Sequence, residues 1–123
     1  MIIEVDAQGV ENAFGFSLRF NAAQWRFVSA TFSGATRDAR LHVNPNQAAG
    51  GNIGIALALP AGRALRTGTR SLLVFEFAPL PPGQPSSLPL LTVDFGDVPV
   101  LRETADINAR PVPTIYAIES VIA

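Results

Sequence analysis

At 123 residues with a formal net charge of −1, the chain has the size of one domain and too little basic character to bind nucleic acid or an anionic membrane through a basic patch. It contains no cysteine, which excludes disulfides, thiolate metal sites and a thiol nucleophile. Although 48% of its residues are apolar, no apolar run approaches the roughly 18 residues needed to cross a bilayer, so no membrane insertion is expected. Met1 leads directly into IIEVDA, and no signal peptide is expected there.

In chain order, Ile3 and Val5 alternate with Glu4 and Asp6, which predicts a first strand. The strongest pattern runs from Glu11 to Gly34. Phe14, Phe16, Leu18 and Phe20 alternate with Gly15, Ser17 and Arg19, the mark of a strand with one face in a core and one in solvent. Asn21–Gln24 predicts a corner of one helical turn at most. In Trp25–Phe32, Trp25 and Phe27 share one phase while Val28, Ala30 and Phe32 share the other. A β-bulge near Phe27–Val28 produces such a flip, with a strand buried on both faces as the alternative.

Leu41 and Val43 alternate with Arg40, His42 and Asn44, and Ile53, Ile55, Leu57 and Leu59 alternate with Gly54, Ala56 and Ala58. Ser71–Phe77 is dense in apolar residues, as expected of a strand covered on both sides. The Pro-rich stretch Ala78–Ser87 reads as a long surface loop inside one domain. In Leu88–Phe95, Leu91, Val93 and Phe95 alternate with Leu90, Thr92 and Asp94, and a last short strand is expected in Ser120–Ala123. Gly, Pro and Asn punctuate the intervals, and no segment shows a helical period. The expected fold is all-β: an antiparallel β-sandwich with jelly-roll topology and about nine strands.

Four segments carry a family resemblance: GFSLRFNAAQWRFVSATFSG (Gly15–Gly34), VNPNQAAGGNIGIALALPAG (Val43–Gly62), GTRSLLVFEF (Gly68–Phe77) and VDFGDVPVLRETADINARPVPTIY (Val93–Tyr116). They resemble cohesin-like modules of bacterial extracellular and surface proteins. Asn21-Ala22-Ala23 replaces the usual acidic residue and proline, and Trp25 stands where an aliphatic residue is usual. The resemblance implies a non-catalytic recognition or adhesion module of an extracellular or cell-surface assembly, with a protein partner of dockerin-like kind. It also implies that residues 1–123 form a single domain lacking the usual first strand. The open edge so created would invite a homodimer. Glu119 stands where the penultimate turn usually holds Gly.

If the strand order is that of cohesins, one sheet turns Gly15, Ser17, Arg19, Arg40, His42, Asn44, Gly54, Ala56, Ala58, Thr92 and Asp94 outward as a partner-binding face. Small residues permit close approach and Arg supplies directional hydrogen bonds, although an ordinary solvent-facing sheet has the same pattern. His42, the single histidine, has no second His or Cys with which to bind a metal and is expected to be an exposed strand residue. Trp25 is expected in the core rather than on a sugar, although a carbohydrate-binding module and a structural spacer are the alternative functions. Asp94, Asp97, Glu103, Asp106 and Asn108 have the hard oxygens that suit Ca²⁺ but no EF-hand spacing; a solvated acidic loop and no cofactor are expected. There is no Gly-x-Ser-x-Gly elbow or phosphate loop, so no enzyme is expected.

Overall fold

Strand alternation sorts side chains to a common interior, and the computed structural model, which describes residues 1–80 and 91–119, shows where that interior lies. The strands are β1 (Ile2–Ala7), β2 (Glu11–Phe20), β3 (Trp25–Phe32), β4 (Arg40–Asn44), β5 (Asn52–Ala58), β6 (Gly68–Pro79), β7 (Val93–Gly96), β8 (Glu103–Asp106) and β9 (Ile115–Glu119). Two single-turn 3-10 helices, Gly34–Thr36 and Ala48–Gly50, stand on either side of β4. The strands form two antiparallel sheets, one in the order β3-β6-β1-β9 and the other in the order β4-β5-β2-β7, with β8 also pairing to β2. No helix among the described residues is long and apolar enough to cross a membrane.

The core lies between the sheets. Phe14, Phe16 and Leu18 of β2 and Ile53, Ile55 and Leu57 of β5 face Ile3, Val5, Leu72, Leu73 and Phe75 of the opposite sheet, and all are buried. Each such side chain contributes about 1.5–3 kcal/mol on leaving water. Phe16 sits at the centre, meeting Phe75, Phe95 and Tyr116 edge-on at centroid distances of 6.4, 6.0 and 5.8 Å.

Local chemistry explains the irregular points. The Asn21 carbonyl accepts the Trp25 N–H at 2.9 Å and Asn21 Oδ1 accepts the Ala23 N–H at 3.0 Å, closing the expected single turn between β2 and β3. The β3–β6 register shifts between Phe27 and Ser29, the bulge anticipated from the phase flip, and leaves Val28 exposed. At the β1–β2 connection the fully buried Glu11 carboxylate accepts the N–H groups of Gln8, Gly9 and Val10 at 2.7, 3.1 and 3.0 Å. Those donors offset the cost of burying its charge.

Three expectations need correction or fall elsewhere. β6 is not covered on both sides, since Val74 and Glu76 are exposed. Its apolar density has another cause: the β1–β6 register shift lets the adjacent Leu72 and Leu73 both reach the core. The final described strand is Ile115–Glu119, whereas Ser120–Ala123, Leu88–Leu90 and most of the Pro-rich stretch lie outside the described residues. β1 is flanked by β6 and β9, so both of its edges are paired. The unpaired edges, among the described residues, include β3, β9 and β4.

Candidate recognition face

The outer face of the β4-β5-β2-β7 sheet holds the residues singled out from the sequence, and the chain itself crosses it. Residues 97–102, between β7 and β8, form a strap over β2 and β5. Ser17 Oγ donates to the Val100 carbonyl at 2.6 Å and accepts the Val100 N–H at 2.8 Å. A Cβ on Gly54 would stand 2.6 Å from Pro99 Cγ and 2.8 Å from Val100 Cγ2, and one on Gly15 would stand 3.2 Å from Val100 Cγ1. The strap therefore seats only because these positions are small.

This corrects the expected face. Ser17 and Gly54 are buried beneath the strap and withdrawn from any partner, while Gly15 is half-buried under Val100 and also lines the opening beside the strap. Arg19 is exposed beside its cross-strand neighbour Asp94, with its stem lying over Gly96. Thr92 is exposed but precedes β7, and Asn44 turns its Oδ1 to the Asn46 N–H at 3.1 Å, closing the turn after β4.

The remaining residues come together. Arg40, His42, Ala56 and Ala58 line an open groove of about 1230 Å³, together with Leu101 and Arg102 from the strap side. Ala56 and Ala58 make an apolar floor, and Leu101, 60% exposed, raises an apolar wall. Arg40 and His42 stand on one rim and Arg102 on the other, where its guanidinium lies 5.0 Å from the centroid of the Phe95 ring. Glu103 is the acidic member of the lining.

Two hydrogen-bonded devices hold the groove's far end. The Tyr116 hydroxyl meets Thr104 Oγ1 at 2.7 Å and donates to the Glu103 carbonyl at 3.0 Å, tying β9 of one sheet to β8 of the other. Burial pushes the Tyr116 phenol up to about 12. Asp106 Oδ1 accepts the N–H groups of Asn108 and Arg110 at 2.8 and 3.0 Å, which holds its carboxyl below the usual range and shapes the turn before Pro111. Asp106 thus works as a turn acceptor. Among the described residues no three His, Cys, Asp or Glu side chains converge on a metal position, so Asp94, Asp97, Glu103 and Asp106 form no common site.

Trp25 and Tyr116 pack against the core, leaving Phe32, at 39%, as the aromatic most open to solvent among the described residues. The strap residues Pro99, Val100 and Leu101 escaped the sequence reading. Their signal was the run of small residues itself: Ser17 and Gly54 are cross-strand partners, which leaves a trough that some apolar segment must fill.

No family model matches the chain, and no curated protein matches it in sequence. Among solved structures, a chain of a cohesin–dockerin complex, CaCohA2 with a CaDoc0917 variant at pH 5.5, superposes with a TM-score of 0.59. The match covers 85% of this chain and 73% of that one at 16% sequence identity. The fold is cohesin-like. Within this cohesin-like sandwich the strap and the groove divide one sheet face, the first filled by the chain and the second open.

Proposed function

We propose that the chain is a non-catalytic protein–protein recognition module whose partner, of dockerin-like kind, docks in the groove between β4–β5 and the strap. The observation that carries this reading is the groove's construction: an apolar floor of Ala56 and Ala58, an exposed Leu101 wall and an Arg-bearing rim, on a cohesin-like sheet. Apolar centres with polar rims are the ordinary anatomy of protein interfaces. Support also comes from the solved neighbour, which was crystallised in a complex. The inward packing of Trp25 and Tyr116 favours a protein ligand over a stacked sugar. A role in an extracellular or cell-surface assembly accords with this module type.

Isothermal titration calorimetry against a panel of recombinant dockerin modules tests the proposal. Saturable binding to at least one, abolished by Ala56→Arg with the circular dichroism spectrum unchanged, is the expected result. Binding that survives both Ala56→Arg and Ala58→Arg would place the interface elsewhere.

A further inference from the structure

A second concavity, of about 420 Å³, lies where the β5–β6 connection meets the Gly34–Thr36 turn, and it shares no lining residue with the groove. Arg63, Arg66 and Arg70 all line it. The connection that carries Arg63 and Arg66 is tied down at several points, and Arg70 follows at the start of β6. Asn12 Nδ2 donates to the Arg63 carbonyl at 2.7 Å, the Arg63 N–H reaches the Pro60 carbonyl at 3.0 Å, and the Leu65 N–H reaches the Glu11 carbonyl at 2.9 Å above the buried Leu65 side chain. Arg70 is fixed as well: its Nε donates to the Arg66 carbonyl at 3.0 Å and its Nη2 to the Thr67 carbonyl at 2.7 Å.

The charges do not balance. Asp38 pairs with Arg63, and among the described residues neither Arg66 nor Arg70 has an acidic partner. With Arg63 paired to Asp38, the Arg66 and Arg70 guanidiniums leave uncompensated positive charge at one concave mouth in a protein whose net charge is −1. Guanidinium groups recognise planar and tetrahedral oxyanions through paired N–H donors, and pre-organised ones lose less freedom on binding.

We propose that this pocket is an oxyanion-binding site, taking a sulfate or phosphate group that is either free or esterified to a small sugar-sized molecule. Ligand cavities run from about 300 to 1,000 Å³, so the volume leaves room for the ester beside its charged group. The site is independent of the groove and of the partner proposed there.

NMR titration of the ¹⁵N-labelled chain tests it, using sodium sulfate and, separately, galactose 6-sulfate, each against sodium chloride at matched ionic strength. Saturable shifts confined to residues 34–35 and 63–70 are expected. Arg66→Ala, an exposed substitution, should weaken binding about tenfold or more, while Arg26→Ala on β3 leaves it unchanged. Tighter binding of the sugar sulfate identifies an ester ligand, and equal affinities identify the free ion. Shifts that fail to saturate, or that persist undiminished in Arg66→Ala, overturn the proposal.

Discussion

Two stretches of the same sheet face carry small outward residues and use them for opposite ends. Under the strap, Gly15, Ser17 and Gly54 are small because Pro99 and Val100 lie directly on them, and Ser17 adds the two hydrogen bonds that pair the strap's backbone. In the groove, Ala56 is exposed and Ala58 half-buried, and both line the opening beside His42 and Arg40. A small residue in a sheet face therefore marks a close approach without saying by what. The hydrogen-bonding neighbour decides it: a buried hydroxyl between small residues signals backbone already in place.

Substitution separates the two stretches most strongly at Gly54. Gly54→Val drives two methyl groups into Pro99 and Val100 and should cost about 2–3 kcal/mol, read from the urea midpoint. The matched change Ala56→Val should stay within about 0.5 kcal/mol, because its side chain enters the open groove. Equal costs at the two positions would break the comparison. Ser17→Ala comes next, at about 1–2 kcal/mol, since it strands the part-buried Val100 N–H; exchange of that amide should accelerate with it.

At the groove's far end, Tyr116→Phe should cost about 1 kcal/mol by removing the tie from β9 to β8. Tyr116 is the single tyrosine, so the phenolate absorbance of the folded protein reports it alone and should rise only near pH 12. The folded pKa is raised, so the contribution of the neutral phenol is complete below the ordinary tyrosine value of about 10 and is lost as pH climbs through about 12. The smallest effect belongs to the opposite sheet. The Glu4 carboxyl is raised first by its hydrogen bond with Glu119 on β9, then by slight burial and by the Glu119 charge. Its contribution is thus present below the ordinary carboxylate value and is lost as pH rises through the raised one. Glu119→Gln should flatten the stability–pH curve across that interval while leaving the strap and groove untouched, as amide exchange would show.

The parts of the molecule legible in the sequence are those where alternation runs uninterrupted. β2 and β5 each keep a strict phase, so their inward and outward sets followed directly, and the Phe27–Val28 phase flip showed through as a bulge. β6 misled because a bulge and a two-sided strand leave the same apolar density behind, and only the register against β1 tells Leu72 and Leu73 apart from a buried run. β8 has only four residues, and its buried residue is a threonine, Thr104, hydrogen-bonded to Tyr116, so no apolar phase announces it. The candidate site was half legible. Arg40, His42, Ala56 and Ala58 line one groove, but the strap that confines them is a contact between residues more than eighty positions apart, and its one local trace is the smallness of Ser17 and Gly54.

The place of β1 also governs the order of assembly. Ile2 pairs with Val74 on one side and with Glu119 on the other, so the first of the described strands sits in the middle of a sheet that β9, far along the chain, completes. β2, β4 and β5 find one another much closer along the chain and can zip while synthesis continues. Until β6 and β9 have both docked, β1 keeps an apolar inner face and bare edges. The unfinished sandwich, rather than the finished one, is where the edges of β1 stand open to mispairing.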